Sequence, residues 1–257
     1  MPPGLDAPVE FQVTTAGRPS SSGHVPAVYP AVRGAFGALE AEGVQWCLLR
    51  GETELLAPNR DVDVLVTPTD MRRVRKALKS VGFAPLRAWG RKPHHFFVAG
   101  DETGTRIKLD LVTALAFGRH HELRADGTEG CLARRRYVGE LAVLGPNDAF
   151  WTLLLHCMLD RRSFPVEYRR RLLELAGAAD SRGAVAALVE RIFAGSAGAR
   201  VMLELVRSSE WAILTAISED ACAGWPVLQR LGMRLVALKN RALRASARRV
   251  RLSRWPV

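Results

Sequence analysis

The sequence predicts an α+β protein in which a mixed sheet with flanking helices is followed by an α-helical domain. In the first half, apolar patterns follow one another in the order helix, strand, strand, helix, strand, strand, strand. After about residue 146, Leu, Ala and Arg recur at helical spacing and β-branched clusters become rare. We therefore divide the chain into a flexible tail (1–25), an α+β domain (26–145), a helical domain (146–224) and a basic C-terminal helix or tail (225–257).

The elements of the α+β domain are predicted from their periodicity and from the residues that end them. Val28, Val32 and Phe36 recur at helical spacing, and Gly43 follows where a C-cap glycine is expected. Segment 61–66 alternates and is rich in valine, which is typical of a strand. The predicted helices are 27–42 and 69–81, and the predicted strands are 44–50, 61–66, 83–89, 94–100 and 105–113.

The helical domain is predicted from its apolar spacing and from one clear start signal. Pro146 followed by Asn147 and Asp148 is typical of a helix N-terminus. The predicted helices are 146–161, 164–179, 181–195 and 197–217, with a further helix at 225–250.

Positive charge is concentrated at the C-terminal end. The chain has 37 Lys plus Arg against 26 Asp plus Glu, a net charge of +11. Residues 221–257 hold nine basic residues and no acid, so the remaining body is nearly neutral. A neutral body favours a small-molecule partner over nucleic acid. The basic amphipathic helix can dock on the helical domain, lie on an anionic membrane or bind RNA; we favour docking for 225–242 and leave 243–254 open.

Composition excludes several other classes. At 48% hydrophobic and 25% charged residues, the chain has ordinary globular composition. No apolar run reaches the about 18 residues of a transmembrane helix, and the N-terminal segment lacks the features of a secretory signal. The four cysteines are far apart without a CxxC pair, which argues against a zinc ribbon or disulfide framework and favours a cytoplasmic location.

Three carboxylates in predicted strands are the candidate chemical groups. Asp61 and Asp63 share one face of strand 61–66, because successive strand residues point to opposite sides. Asp110 is the lone acid inside the apolar strand 105–113. If the two strands pair, the three acids form a cluster that Mg²⁺ or Mn²⁺ would stabilise for phosphoryl or nucleotidyl transfer. The alternatives are exposed acids at a strand start and, for Asp110, a partner for Arg106, Lys108 or another base.

The predicted strand 44–50 ends in the sequence Leu-Leu-Arg-Gly-Glu. Gly51 at this position lets backbone N–H groups approach a ligand closely. Arg50 and Lys108 are candidate phosphate contacts, and with Gly51 they form the predicted nucleotide-binding set. Ten residues separate Gly51 from Asp61.

These motifs together resemble the DNA polymerase β-like nucleotidyltransferases. In that superfamily a hydrophobic strand ends in Gly-Ser or Gly-Gly, an Asp-x-Asp follows on a second strand, and a third Asp lies further along. The resemblance implies that Asp61 and Asp63 ligate metal with the triphosphate. It also implies that Asp110 completes the metal cluster and acts as a base toward the acceptor hydroxyl. Glu52 stands where the family has Ser or Gly, and its carboxylate would repel phosphates unless it turns away.

Within the superfamily, the chain is similar to small bacterial nucleotidyltransferase-fold proteins of uncharacterised activity. Some of these resemble the front half of larger chains that carry a thymidylate-kinase-like domain. The resemblance extends over residues 27–180 and includes the segment 153–175. No GxxxxGK[ST] motif occurs here, so the kinase half is not expected.

The sequence therefore predicts a Mg²⁺-dependent nucleotidyltransferase. It would move a nucleoside monophosphate from an NTP such as ATP to a hydroxyl or phosphate of a small acceptor, for example a sugar or an aminoglycoside-like compound, bound between the two domains. One alternative is a weakly active or inactive nucleotidyltransferase-fold binding protein, and another is a membrane- or nucleic-acid-associated module acting through the basic tail. Since nothing spaces them as zinc ligands, His94, His95, His120 and His121 are assigned core or surface roles. His156 is assigned to the core or an interface, and Asp160, which Arg161 and Arg162 follow, to a helix end.

Overall fold

The computed structural model of the chain describes residues 28–50, 55, 61–86, 93–100, 105–118, 121, 123–193 and 197–223. Within them, the predicted α+β class, with a mixed sheet, flanking helices and a helical C-terminal part, is confirmed. The predicted tail 1–25 and the whole of the basic segment 225–257 fall on residues outside this description, as do Gly51 and Glu52.

Nine strands and eight α-helices lie in the described part of the chain, with one short 3₁₀ turn before α2. The strands are β1 (Trp46–Leu48), β2 (Val62–Val66), β3 (Ala84–Pro85), β4 (His94–Gly100), β5 (Arg106–Val112), β6 (Ala116–Phe117), β7 (Leu123–Arg124), β8 (Arg136–Val138) and β9 (Leu141–Val143). The helices are α1 (Pro30–Ala41), α2 (Met71–Ser80), α3 (Thr128–Ala133), α4 (Pro146–Leu155), α5 (Val166–Ala176), α6 (Ala184–Phe193), α7 (Ala199–Arg207) and α8 (Trp211–Ala223).

The main sheet has seven strands in the order β3-β4-β5-β2-β1-β9-β8. Its β2–β5 and β1–β9 pairs are parallel, and the other pairs are antiparallel. β6 and β7 form a separate two-stranded ribbon. This order places β2 and β5 side by side near the middle of the sheet.

The two faces of the sheet differ in what covers them. On one face, Phe36 of α1 stacks on Trp46 of β1, with the ring centroids 4.3 Å apart. The alternating valines Val62, Val64 and Val66 of β2 are buried on this side. Cys47 points to the opposite face, where Cys131 of α3 is close enough to contribute to the raised pKa of the Cys47 thiol, whose first cause is burial. Helix α3 also contacts β2.

Several elements differ from the predicted ones. The short elements between residues 116 and 143 were not predicted, because strands of two or three residues carry too little periodicity to be recognised. The predicted single helix 197–217 is wrong: α7 and α8 are separated by a turn in which Ser209 has a φ of +60°. The predicted helix 146–161 is α-helical only to Leu155, and His156–Arg161 is π-helical.

The buried apolar side chains form one continuous core that extends from α1 through the sheet to α8. In the part of the chain that the structure describes, no helix is long and apolar enough to cross a membrane. The sheet and the helices behind it thus share their hydrophobic interior, which fixes the position of α4 and the π-helical segment relative to β2 and β5.

Candidate functional site

The pairing of β2 with β5 brings two of the predicted aspartates together. The strands are parallel, and Asp63 lies directly opposite Asp110 in the register. Residues paired in this way point to the same side of the sheet. The two side chains are largely buried, with 15% of Asp63 and 9% of Asp110 exposed. Asp61, two residues before Asp63, shares this side and is more exposed. We call this side, defined by Asp61, Asp63 and Asp110, the carboxylate face.

Each aspartate of the carboxylate face has its own basic partner. Arg50 contacts Asp63 at 2.8 Å, and Lys108 contacts Asp61 at 2.5 Å. Lys108 also lies over the ring of Phe96, 4.1 Å from its centroid. The negative charges of Asp61 and Asp63 are therefore compensated by bases that come from β5 and from the segment after β1.

The third partner, of Asp110, is a histidine from a neighbouring strand. His94 Nδ1 lies 3.0 and 2.8 Å from the two carboxylate oxygens of Asp110. Because a carboxylate only accepts hydrogen bonds, Nδ1 is the donor. Sequence reasoning treated His94 as an ordinary residue, and the pairing became visible only once β4 and β5 were known to be antiparallel, with Phe96 opposite Asp110. His94 then shares the face of Phe96 and Asp110.

The electrostatics of Asp63 show that the carboxylate face favours additional positive charge. Burial raises the pKa of Asp63, the nearby Arg50 lowers it, and Asp110 raises it again. A carboxylate destabilised by burial and by a second carboxylate is a group that a cation would stabilise. The predicted phosphate contacts Arg50 and Lys108 are both at this face, so the basic and acidic residues of the predicted site lie together.

The fit of a divalent ion rests on the chemistry of these donors. Carboxylate oxygens from Asp61, Asp63 and Asp110 are the hard ligands that Mg²⁺ and Mn²⁺ prefer, and they share one face. Among the described residues, no group of three or more His, Cys, Asp or Glu side chains is arranged to hold a metal ion. The type of donor fits Mg²⁺, but the described side chains do not form a ready metal site. The metal site therefore stays a prediction.

A second polar cluster lies where α4 changes into the π-helical segment. His156 Nδ1 lies 2.8 Å from Asp160 Oδ2, and Asp160 Oδ1 accepts a hydrogen bond from the backbone N–H of Gly118 at 2.6 Å. Gly118 has a φ of +93°, a conformation that favours glycine. Asp160 therefore links the helical part of the chain to the β6–β7 ribbon.

The histidines near these clusters include two nitrogens without a partner. The rings of His94 and His121 lie 4.1 Å apart. His94 Nε2 and His121 Nδ1 are buried and find no hydrogen-bond partner among the residues that the structure describes. His121 also has a φ of +57°, which is uncommon for a residue other than glycine. A buried polar atom without a partner is costly, so these nitrogens indicate a place where a ligand or water would bind.

Sequence reasoning missed His156, Asp160 and His121 as members of a site. It assigned His156 to the core or an interface and read Asp160 as a helix end. The His156-x-x-x-Asp160 spacing was the available signal, because residues four apart lie on one side of a helix. Nothing in the local sequence indicates the contact with Gly118, which lies 42 residues away.

Comparisons with known proteins add little to this geometry. No protein-family model matches the chain, and no curated protein matches it. Among solved structures, the chain is similar to the solution structure of the antibiotic-resistance factor ANT(2'')-Ia. The match covers 74% of this chain and 94% of that chain, with 9% sequence identity and a TM-score of 0.40. At this level of similarity, the functional argument rests on the residues of the carboxylate face.

Proposed function

We propose that this protein is a Mg²⁺-dependent nucleotidyltransferase that moves a nucleoside monophosphate from an NTP to a hydroxyl or phosphate of a small-molecule acceptor. The observation that carries the proposal is the register of β2 and β5. It sets Asp63 beside Asp110 on a largely buried face, with Asp61 on the same side. These are the three positions that correspond to the metal-binding aspartates of the DNA polymerase β-like pattern.

Asp61, Asp63 and Asp110 would hold the divalent ion, which would neutralise the triphosphate and stabilise the charge that develops during transfer. Arg50 and Lys108 now contact Asp63 and Asp61. Both are long basic side chains at the edge of the face. When a triphosphate binds, they can exchange their contacts with the aspartates for contacts with the phosphates. Gly51, which follows Arg50, would let backbone N–H groups approach the phosphates.

The first test is calorimetric titration of the wild-type chain with ATP, GTP, CTP and UTP in the presence of Mg²⁺. We expect saturable, Mg²⁺-dependent binding of at least one NTP. Asp63→Asn keeps the shape of the side chain and removes a ligand charge, so it should weaken that binding at least tenfold. Transfer of label from an α-³²P-NTP into a metabolite extract should be lost in the same variant.

The matched control is Glu204→Gln, which removes an exposed acid on α7 outside the carboxylate face. It should bind NTP as the wild type does. Equal NTP binding by wild type and Asp63→Asn, or binding that ignores Mg²⁺, would contradict the proposed function.

A second candidate is a nucleotidyltransferase-fold binding protein without catalytic activity. The observation that favours it is that each acid of the carboxylate face already contacts a side chain of this chain, Arg50, Lys108 or His94. Glu52, which stands in place of the family's small residue, also favours this candidate, because its carboxylate would repel phosphates. If this candidate is correct, no NTP is consumed with any acceptor pool, and Glu52→Ser does not produce turnover. Turnover by the wild type would eliminate it.

A further inference from the structure

The His156–Asp160 pair has the construction of a fixed proton acceptor. His156 is mostly buried, with 12% of its side chain exposed, and its Nδ1 lies 2.8 Å from Asp160. Since the carboxylate can only accept, Nδ1 carries the proton, and in the neutral ring Nε2 offers a lone pair. The side-chain hydrogen bond described for the His156 ring is made by Nδ1, which leaves Nε2 as the candidate proton acceptor. A carboxylate that fixes one imidazole nitrogen while the other accepts a proton is a recurrent catalytic arrangement.

Asp160 is itself held in place by a second hydrogen bond. Its second carboxylate oxygen accepts the N–H of Gly118 at 2.6 Å, so both oxygens are engaged. The pair sits in the π-helical segment His156–Arg161, a rare conformation that is frequent at functional sites. On its other side, Tyr168 packs edge-on against the His156 ring at 6.0 Å between centroids. These contacts hold the imidazole in one orientation.

A chain of contacts places this pair beside the carboxylate face: Asp160 bonds Gly118, His121 bonds the Gly118 carbonyl, and the His121 ring lies 4.1 Å from that of His94, the partner of Asp110. Burial lowers the pKa of His156, and the hydrogen bond that its Nδ1 donates to Asp160 opposes that shift. Arg50 lowers the pKa of His156 further and Asp63 raises it, so the imidazole is within electrostatic range of both groups. With burial as the main influence, the ring is neutral near pH 7 and able to accept a proton.

The unpartnered nitrogens show where an acceptor molecule would lie. Asp160 bonds both His156 and the backbone N–H of Gly118, and the N–H of His121 donates to the carbonyl of Gly118 at 2.9 Å, so the two histidines are linked through Asp160 and Gly118. Within the part of the chain that the structure describes, His94 Nε2 and His121 Nδ1 are buried without a partner, and a hydrogen-bond donor would satisfy each of them. The hydroxyl groups of a small polyhydroxylated molecule are donors of this kind. The same space thus offers two binding nitrogens and one proton-accepting nitrogen.

We propose that His156 is the residue that takes the proton from the acceptor hydroxyl, with Asp160 as its positioning residue, and that the acceptor is a polyhydroxylated small molecule bound against His94 and His121. This inference rests on the proposed function. The acceptor oxygen forms a bond to the α-phosphorus of the NTP while its proton moves to His156 Nε2. The bond between the α-phosphorus and the bridging oxygen breaks, and pyrophosphate leaves with that electron pair. His156 then releases its proton to solvent.

Asp110 is the rival for this role, because the family resemblance assigns it the base. Its two carboxylate oxygens both face the donating Nδ1 of His94, and only 9% of its side chain is exposed. Asp110 therefore contributes negative charge to the carboxylate face, whereas His156 has a ring nitrogen, Nε2, that can accept the proton.

The test measures kcat and KM for transfer from α-³²P-NTP to the acceptor, together with NTP binding and melting temperature. His156→Ala should lower kcat by about 10²- to 10⁴-fold, the range for loss of a general base. NTP affinity should stay within twofold of the wild type. Added imidazole should restore part of the activity of His156→Ala and none of that of Asp63→Asn, a response that a merely structural role for His156 would not give.

Two further variants separate proton transfer from folding. His156→Gln keeps the bulk and a hydrogen-bonding group, so it should melt as the wild type does and still lose kcat. Asp160→Asn should lower kcat less than His156→Ala. The double variant should be no slower than His156→Ala alone, because Asp160 acts through His156.

Unchanged kcat in His156→Gln, or a loss in His156→Ala that imidazole does not restore while the chain remains folded, would overturn the role of His156 and leave the proposed function intact. A wild-type chain without NTP binding or turnover would overturn the proposed function and this role together.

Discussion

Burial decides what each ion pair of the carboxylate face contributes. Asp61 and Lys108 are 45% and 34% exposed, and a pair of this kind contributes about 0–1 kcal/mol because water screens it. Lys108 can therefore leave Asp61 for a phosphate at little cost. Asp63 and Arg50 are more buried, so removing Arg50 would leave an uncompensated carboxylate, which is the more damaging change.

The buried thiols give a prediction at the scale of the residue. Burial raises the pKa of each of Cys47, Cys131 and Cys157 to about 12. Since the thiolate is the reactive form, these three should react with an aromatic disulfide reagent at least about 10³-fold more slowly than free cysteine at pH 8. The measurement uses Cys222→Ser, which removes the remaining cysteine.

In the folded Cys222→Ser chain we expect no fast-reacting thiol, and in strong denaturant we expect three. Rapid stoichiometric labelling of any thiol in the folded chain would show that the site of that cysteine opens to solvent, against the burial described for all three.

At the scale of the element, the change from α4 to the π-helical segment creates the His156–Asp160 pair. A regular helix through residue 161 is what the apolar spacing predicts. The structure instead ends the segment at Arg162 with a φ of +55°, and Ser163 donates its backbone N–H to Cys157. The wider turn is stabilised from outside, because Ser218 of α8 donates to the carbonyl of Met158.

Two glycines at helix positions give a matched prediction for the elements. A Cβ on Gly145, the N-cap of α4, would lie 2.8 Å from the backbone oxygen of Arg134, a contact that backbone must move to relieve. A Cβ on Gly37, inside α1, would meet nothing within 4 Å. Gly145→Ala should therefore lower the free energy of unfolding by about 1–3 kcal/mol. Gly37→Ala should raise it by about 0.5–1 kcal/mol, since alanine favours helix.

Urea unfolding followed by circular dichroism measures both changes. Each variant is the control of the other, because both add one methyl group to a glycine. A stabilising Gly145→Ala would mean that α4 and the turn after α3 are not in the close contact described.

At the scale of the whole molecule, the excess positive charge and the candidate site lie in different parts of the chain. The acids and bases of the carboxylate face compensate one another, whereas residues 221–257 hold nine basic residues and no acid. If the basic segment acts at an anionic membrane, replacing Arg244, Arg248 and Arg251 together by Gln should weaken binding to vesicles with anionic lipid by about 10²-fold, at about 1 kcal/mol per basic residue.

The control replaces three exposed arginines of the described part, Arg72, Arg75 and Arg200, by Gln in the same full chain. Cosedimentation with anionic and neutral vesicles measures the binding. Equal, weak binding by the wild type and both variants would remove the membrane role of the segment and favour its docking on the helical part.

The alternation of residues along single strands determined a good part of the site in advance. It set Asp61 and Asp63 on one side of β2, and it marked Asp110 as a lone acid in β5. The parallel β2–β5 register then sets Asp63 opposite Asp110 on that face, with Asp61 on the same side beside Lys108, and a metal site shared by the three stays a prediction. The side of a strand on which a residue lies and the period of the apolar residues are local properties, so both can be predicted from the sequence.

The partners of these residues were decided only by the tertiary structure. Lys108 contacts Asp61 rather than Asp110, His94 takes Asp110, and Asp160 reaches Gly118. Each of these contacts joins residues 16 or more positions apart, and it depends on strand order and on how the helices pack behind the sheet. Such contacts follow from the burial of the whole core, in which many residues contribute at once, and no local pattern encodes them.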